Sequence, residues 1–220
     1  MRRLLDKIGV IFSYFFTGKI SDVLRYCHDV VYTGWIRRQF KKFEGEIKGN
    51  ISLINGQNIS VGNGTVIHNN VSLFTWERHG NQRFNPEMII GRNCDIQNDC
   101  FISCINKISI GDNVALTAHS MVLDNTHGDF QDNHFTFNEN PDIPDVFLQN
   151  AYTRDLASKG PVIIENDVHI GMYCLLLPGA VIGHHSVVAA HSVVSRKIPP
   201  YSLVAGNPAE VIITFGRKKH

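Results

Sequence analysis

The 220-residue sequence predicts an all-β fold, a parallel β-helix of about five hexapeptide coils behind an α-helical N-terminal segment. Three observations predict it. An aliphatic residue recurs every six positions: Val61, Ile67, Leu73; Ile90, Ile96, Ile102; Ile110, Leu116, Val122; then unbroken through Ile164, Ile170, Leu176, Ile182, Val188 and Val194. Four residues after most of these stands a small one: Thr65, Val71, Cys94, Cys100, Val114, Ser120, Thr126, Val168, Cys174, Ala180, Ser186 and Ser192. Glycine follows the aliphatic position at Gly62, Gly91, Gly111, Gly171 and Gly183.

An antiparallel sandwich alternates with period two and has irregularly spaced turns, so it does not suit a period of six. Three hexads make one turn of a triangular coil. The aliphatic side chain points in and fills the prism, and the small residue points in where a bulky one would strike the next strand. Asn93, Asn113 and Asp167 fall at corners, where a positive φ is tolerated. One coil cannot bury its apolar face alone, so coils must stack. Glu77, Asn106 and Ile198 break the small-residue rule, each at the end of a block. Cys94, Cys100 and Cys174 read as core fillers rather than ligands or nucleophiles.

The coils occupy residues 49–213 and are interrupted near 74–88 and near 124–162. A loop as long as the second is usually functional or disordered. Residues 1–48 lack the six-residue period. Leu4, Leu5, Ile8, Ile11, Phe12, Phe15 and Phe16 fit one helical stripe, and Val23, Leu24, Cys27, Val30, Val31, Trp35 and Phe40 fit a second. Such helices would pack on the open end of the prism and blunt its edges. With Arg2, Arg3, Lys7, Arg37, Arg38, Lys41 and Lys42 among them, peripheral contact with an anionic membrane is the alternative. Residues 214–220 form a basic tail.

A net charge of +1 gives no electrostatic case for a nucleic-acid partner. Five cysteines, an odd number with no CxxC, favour a reducing compartment and predict a cytoplasmic protein. The apolar run at residues 10–16 falls short of the roughly 20 residues that span a bilayer, and no small-residue cleavage site follows it.

Two segments are highly specific: Pro178-Gly179-Ala180-Val181-Ile182-Gly183, and Ile198-Pro199-Pro200 followed by Ala205-Gly206-Asn207-Pro208. With them, roughly residues 58–213 resemble the hexapeptide-repeat, left-handed β-helix acyltransferases, close to the maltose and galactoside O-acetyltransferases. The N-terminal segment is similar to leaders of enzymes from bacterial surface-polysaccharide gene clusters.

The resemblance implies an acetyl-CoA-dependent O-acetyltransferase with a sugar or glycan acceptor, acting as a homotrimer with sites at subunit interfaces and no metal. It makes His127, the first histidine of the long loop, the general base. An imidazole, with an ordinary pKa of about 6.5, can take a proton from a hydroxyl as the oxygen attacks the thioester. No covalent intermediate is needed. Asp124, Asn125 and Gln97 fall at acceptor-binding places, where Asp124 would orient the imidazole, hold substrate hydroxyls, or simply cap a turn. Gly171 and Met172 would offer a backbone N–H to the oxyanion. Ala190 and Ser195 match the pantetheine groove. Lys197 and the tail residues Arg217, Lys218 and Lys219 would meet CoA phosphates, or the tail is merely solvated.

The sequence departs from the family at His169, where Trp is frequent, at Glu210, where Arg is frequent, and at Gln97, where Asn is common. Other readings stay open: N-acetylation of a nucleotide-linked amino sugar, or a non-catalytic trimeric scaffold. A zinc enzyme of the same fold needs an HxxxxH spacing, which none of the eleven histidines shows.

Overall fold

The computed structural model describes residues 18–128, 145–151 and 153–216. Short parallel strands stack into three faces of seven, eight and six strands, the second of which ends in one antiparallel strand. On the first face Val61, Ile90, Ile110, Ile164, Ile182 and Ile198 lie in register. On the second Ile47, Ile67, Ile96, Leu116, Ile170, Val188 and Val204 do so. On the third Leu73, Ile102, Val122, Leu176 and Val194 align. These side chains are buried and form one continuous core, each fully buried Ile or Leu contributing about 1.5–3 kcal/mol relative to an exposed one.

The small inward positions are buried as predicted, apart from Thr126, which has left the coil to pair with Ala157. Ile198 ends no block: it is buried, pairs with Ile182 and opens a further coil after a shortened corner. The first coil is likewise short and starts before residue 49, since Lys42–Phe43 pairs with Ser60 and Val61, and Glu46–Ile47 with Val66 and Ile67. Gly171 shows why glycine follows the aliphatic position, because a Cβ there would lie 2.5 Å from the Ala190 nitrogen of the next coil. The last strand, Ala209–Thr214, folds back antiparallel on Ser202–Gly206.

One long helix, α1 (Gly18–Ile36), caps the N-terminal end. It does so with the opposite face from the one the apolar stripe suggested. Asp29 Oδ1 accepts the Gly49 N–H at 3.1 Å, Thr33 Oγ1 accepts the Ile47 N–H at 3.0 Å, and Tyr32 sits 3.3 Å from the Ile51 nitrogen and carbonyl oxygen. Ile36 is buried beside them. The open end of a β-helix presents unpaired backbone groups, so a polar helix face suits it better than an apolar one. Val23, Leu24, Val30, Val31 and Trp35 are exposed; of the predicted stripe only Phe40, beyond the helix, joins the core. The first predicted stripe lies outside the described residues.

Candidate active site

The third face turns Phe74, Phe101, Ser103, Met121 and Leu123 outward, between the buried positions of the same strands. Both insertions leave the prism from this face. The first forms a hairpin, Arg78–His79 against Gln82–Arg83. The second opens with Thr126–His127, which pairs antiparallel with the returning Leu156–Ala157. Between hairpin, strand pair and face lies a cavity of about 660 Å³, lined by Trp76, His79, Phe101, Ser103, Leu123, Asn125, Thr126, His127 and Leu156.

His127 is exposed at this cavity, on a backbone fixed by pairing with Leu156. The His79 ring packs edge-on against the His127 ring, 5.4 Å between centroids. His79 Nε2 lies 2.9 Å from the Arg154 carbonyl oxygen; a carbonyl only accepts, so this nitrogen donates. Gln82 grips Leu156 through both of its amide atoms, at 3.0 and 2.7 Å. Trp76 Nε1 donates to Ser103 Oγ at 3.2 Å, which holds the indole against the outer face. Asn125 Nδ2 lies 3.1 Å from the Ser103 carbonyl oxygen and 3.1 Å from Asp124 Oδ1, so its amide is anchored at the cavity edge.

Asp124 does not reach the imidazole or the cavity. Its carboxylate is fully buried and accepts the N–H groups of Ile105 and Asn106, both at 2.8 Å, and it receives the Cys104 thiol at 3.3 Å. Chain reversal after the third face strands these two N–H groups, and the carboxylate satisfies them. Of its expected roles, the structure leaves it the turn cap.

Gln97 is not brought to the cavity. It lies at the second face, where Asp95 accepts from it at 3.1 Å and pairs with His68 at 2.7 Å. Gly171, Met172 and Ala190 meet at the corner between the second and third faces. The Gly171 N–H is occupied by the Val188 carbonyl at 2.8 Å, so it is unavailable to an oxyanion. Ser195 follows Val194 on the third face, in the outward row of Ser103 and Leu123. Lys197 starts the first face beside Val181 and is exposed. His169 stands on the second face between Ala115 and Val187, and Glu210 pairs with Arg196 at 3.6 Å. Arg217, Lys218 and Lys219 lie outside the described residues.

Residues 161–196 match the family model for the bacterial transferase hexapeptide (six repeats). Over 126 residues the chain is 32% identical to WbbJ of Escherichia coli K12, a protein named for O-acetyl transfer in lipopolysaccharide biosynthesis, covering 57% of this chain and 60% of WbbJ. It is 43% identical over 53 residues to a chloramphenicol acetyltransferase of Klebsiella aerogenes, 24% of this chain and 25% of that protein. Each match thus spans less than two thirds of the relative's length. Among solved structures, a point mutant of AntD, an N-acyltransferase from Bacillus cereus in complex with dTDP and coenzyme A, has a TM-score of 0.62 at 22% identity, over 84% of this chain and 90% of AntD. The hexapeptide-repeat acetyltransferase VCA0836 from Vibrio cholerae has 0.55 at 20% identity, over 86% and 82%.

The chain carries the hexapeptide repeat over residues 161–196 and is similar to the hexapeptide-repeat acyltransferase family. Its coil is the left-handed parallel β-helix of that family. Around this shared prism, Trp76 ahead of the hairpin, His79 and Gln82 within it, and Phe101, Ser103, Leu123 and Leu156 are site residues that the sequence did not single out. For the first three the only available signal was that an insertion of aromatic and polar residues interrupts the repeat near 74–88.

Proposed function

We propose that this hexapeptide-repeat protein is an acetyl-CoA-dependent O-acetyltransferase acting on a hydroxyl of a sugar or surface-polysaccharide intermediate. The observation that carries this reading is the exposed His127 imidazole beside a cavity walled by Trp76, Phe101 and Leu123. Flat aromatic walls suit the apolar faces of a sugar ring, and the imidazole meets a hydroxyl at the rim. The hydroxyl oxygen attacks the thioester carbonyl while His127 takes its proton. The tetrahedral intermediate collapses, the C–S bond breaks, and the imidazolium returns the proton to the CoA thiolate. Similarity to WbbJ supports a glycan acceptor.

In this reading Asn125 holds the acceptor, and Gln97 reaches it only from a neighbouring protomer. Met172 replaces Gly171 as the oxyanion donor, Ala190 and Ser195 border the pantetheine, and Lys197 meets CoA phosphate. A homotrimer fits the apolar outer row of the third face, where Met121 is 39% exposed, and the exposed Val211, Ile212 and Ile213 of the last strand. Acetyl-CoA as donor and five unpaired thiols agree with a cytoplasmic site of action.

The test is thiol release from acetyl-CoA with a panel of sugars, glycan intermediates and nucleotide-linked amino sugars. Turnover with a hydroxyl acceptor is expected. His127→Ala should lower kcat by roughly 10²–10⁴ while CoA still binds. Turnover with amino sugars alone would establish N-acylation instead, as in AntD; no thiol release with any acceptor would leave the scaffold reading.

A further inference from the structure

Helix α1 touches the prism with one side only, through Asp29, Tyr32, Thr33 and Ile36. The opposite side, centred on Cys27, carries Val23, Leu24, Val30, Val31 and Trp35, which are 59%, 57%, 53%, 72% and 64% exposed. Contiguous apolar surface of this kind marks an interaction site rather than a solvated face. Arg37 and Arg38, both exposed, follow at the helix's C-terminal end.

Charge selects the partner. Residues 1–48 hold ten Lys and Arg against five Asp and Glu, a net of +5. Residues 49–220 hold eleven against fifteen, a net of −4. Of residues 1–48 the described ones, 18–48, hold seven against four, so a net of +3 sits at the end of the prism that presents the apolar face. A second copy of this face would bring like charges together. So would residues 1–17, whose own net charge is +2. An anionic lipid surface complements both features, and Trp35 is a side chain suited to the headgroup boundary. No helix among the described residues is long and apolar enough to cross a membrane, so the fit is to lying on the surface.

We propose that the outward face of α1 docks the protein on an anionic membrane surface, with the helix axis in the plane of the interface. The full chain is tested by flotation with phosphatidylcholine vesicles, with and without phosphatidylglycerol. Binding to the anionic vesicles is expected, weakening with salt, with a blue shift in emission that Trp35→Phe abolishes. Leu24→Glu with Val31→Glu, both at exposed positions, should weaken binding by about tenfold or more and leave the melting temperature unchanged. Equal binding to both vesicle types, or none, overturns the proposal. A fall in melting temperature of the double variant without vesicles would show the face to be covered by the chain itself. A fall in its solution mass would show it covered by a second copy.

Discussion

The carboxamide of Gln82 acts as a strand neighbour to a single residue, Leu156: Nε2 donates to its carbonyl at 3.0 Å and Oε1 accepts its N–H at 2.7 Å. Leu156 is in turn the antiparallel partner of His127. A side chain from the first insertion thus holds the strand that holds the proposed base, across 74 residues of sequence.

Removing that grip should misplace the imidazole without removing it. Gln82→Ala is expected to lower kcat by about tenfold, since small displacements of a reacting group are costly, and to leave KM for acetyl-CoA unchanged. The decisive measurement is the double variant. If Gln82 works through His127, its loss costs nothing further in a His127→Ala background, as for residues that act as a unit. Additive losses would mean that Gln82 serves the substrate directly.

Asp124 should matter to stability rather than turnover. Asp124→Ala removes the acceptor of the buried Ile105 N–H and of the part-buried Asn106 N–H. Each unsatisfied donor costs about 1–3 kcal/mol, so a fall in melting temperature of several degrees is expected. Activity per folded molecule, measured well below the transition, should stay within a few-fold of wild type. A large kcat defect in a fully folded variant would restore the acceptor-binding or imidazole-orienting role to this carboxylate.

The interior of the prism was legible because each face contributes one inward aliphatic residue per turn, from Val61 to Val194, and that period needs no distant information. The corners were legible only where Asn and Asp mark them. Asn93, Asn113 and Asp167 do have positive φ, but so do His119, His185 and His191, a type that also tolerates it, and Tyr173 and Tyr201, which have no preference for it. His119, Tyr173 and His191 stack in a column with centroids 4.7 and 5.0 Å apart, and this stacking helps offset the backbone cost. Such a column exists only once coils are stacked. The same holds for the hairpin carrying Trp76, His79 and Gln82, whose partner Leu156 comes from another insertion. Helix α1 misled for a different reason. Its apolar stripe predicts a packing face or a membrane contact, whereas the end of the prism is met by Asp29, Tyr32 and Thr33.

Thiol chemistry separates the core cysteines from the surface one. Cys94, Cys100, Cys104 and Cys174 are buried, and Cys27 is exposed. Burial pushes the Cys100 thiol up to about 11 and lifts those of Cys94 and Cys174. Cys104 is raised as well, first by burial and then by the neighbouring Asp124 carboxylate. Since the thiolate is the reactive form, an aromatic disulfide reagent at mildly alkaline pH should modify one thiol of the native protein quickly. Cys27→Ser should remove that fast phase, and denaturant should release the other four. A second fast thiol in the native state would contradict the packing of the prism.

Acid should weaken the first half of the prism through two surface carboxylates. Glu87 is held below its ordinary range by its hydrogen bond to Lys107, with Lys41 adding attraction. Asp112 is held low by its hydrogen bonds to Arg92. Their folded-state values lie below the unfolded ones, so both contributions are complete above about pH 5 and fade as pH falls through the folded values. Both groups are solvent-screened, so each effect is small. Melting temperatures measured from neutral pH downward should be flat to about pH 5 and then decline. In Glu87→Gln with Asp112→Asn, the neutral plateau should be lower and the acid limb shallower, the two proteins converging at the acid end. Parallel curves with an undiminished acid limb would place the acid sensitivity in other carboxylates.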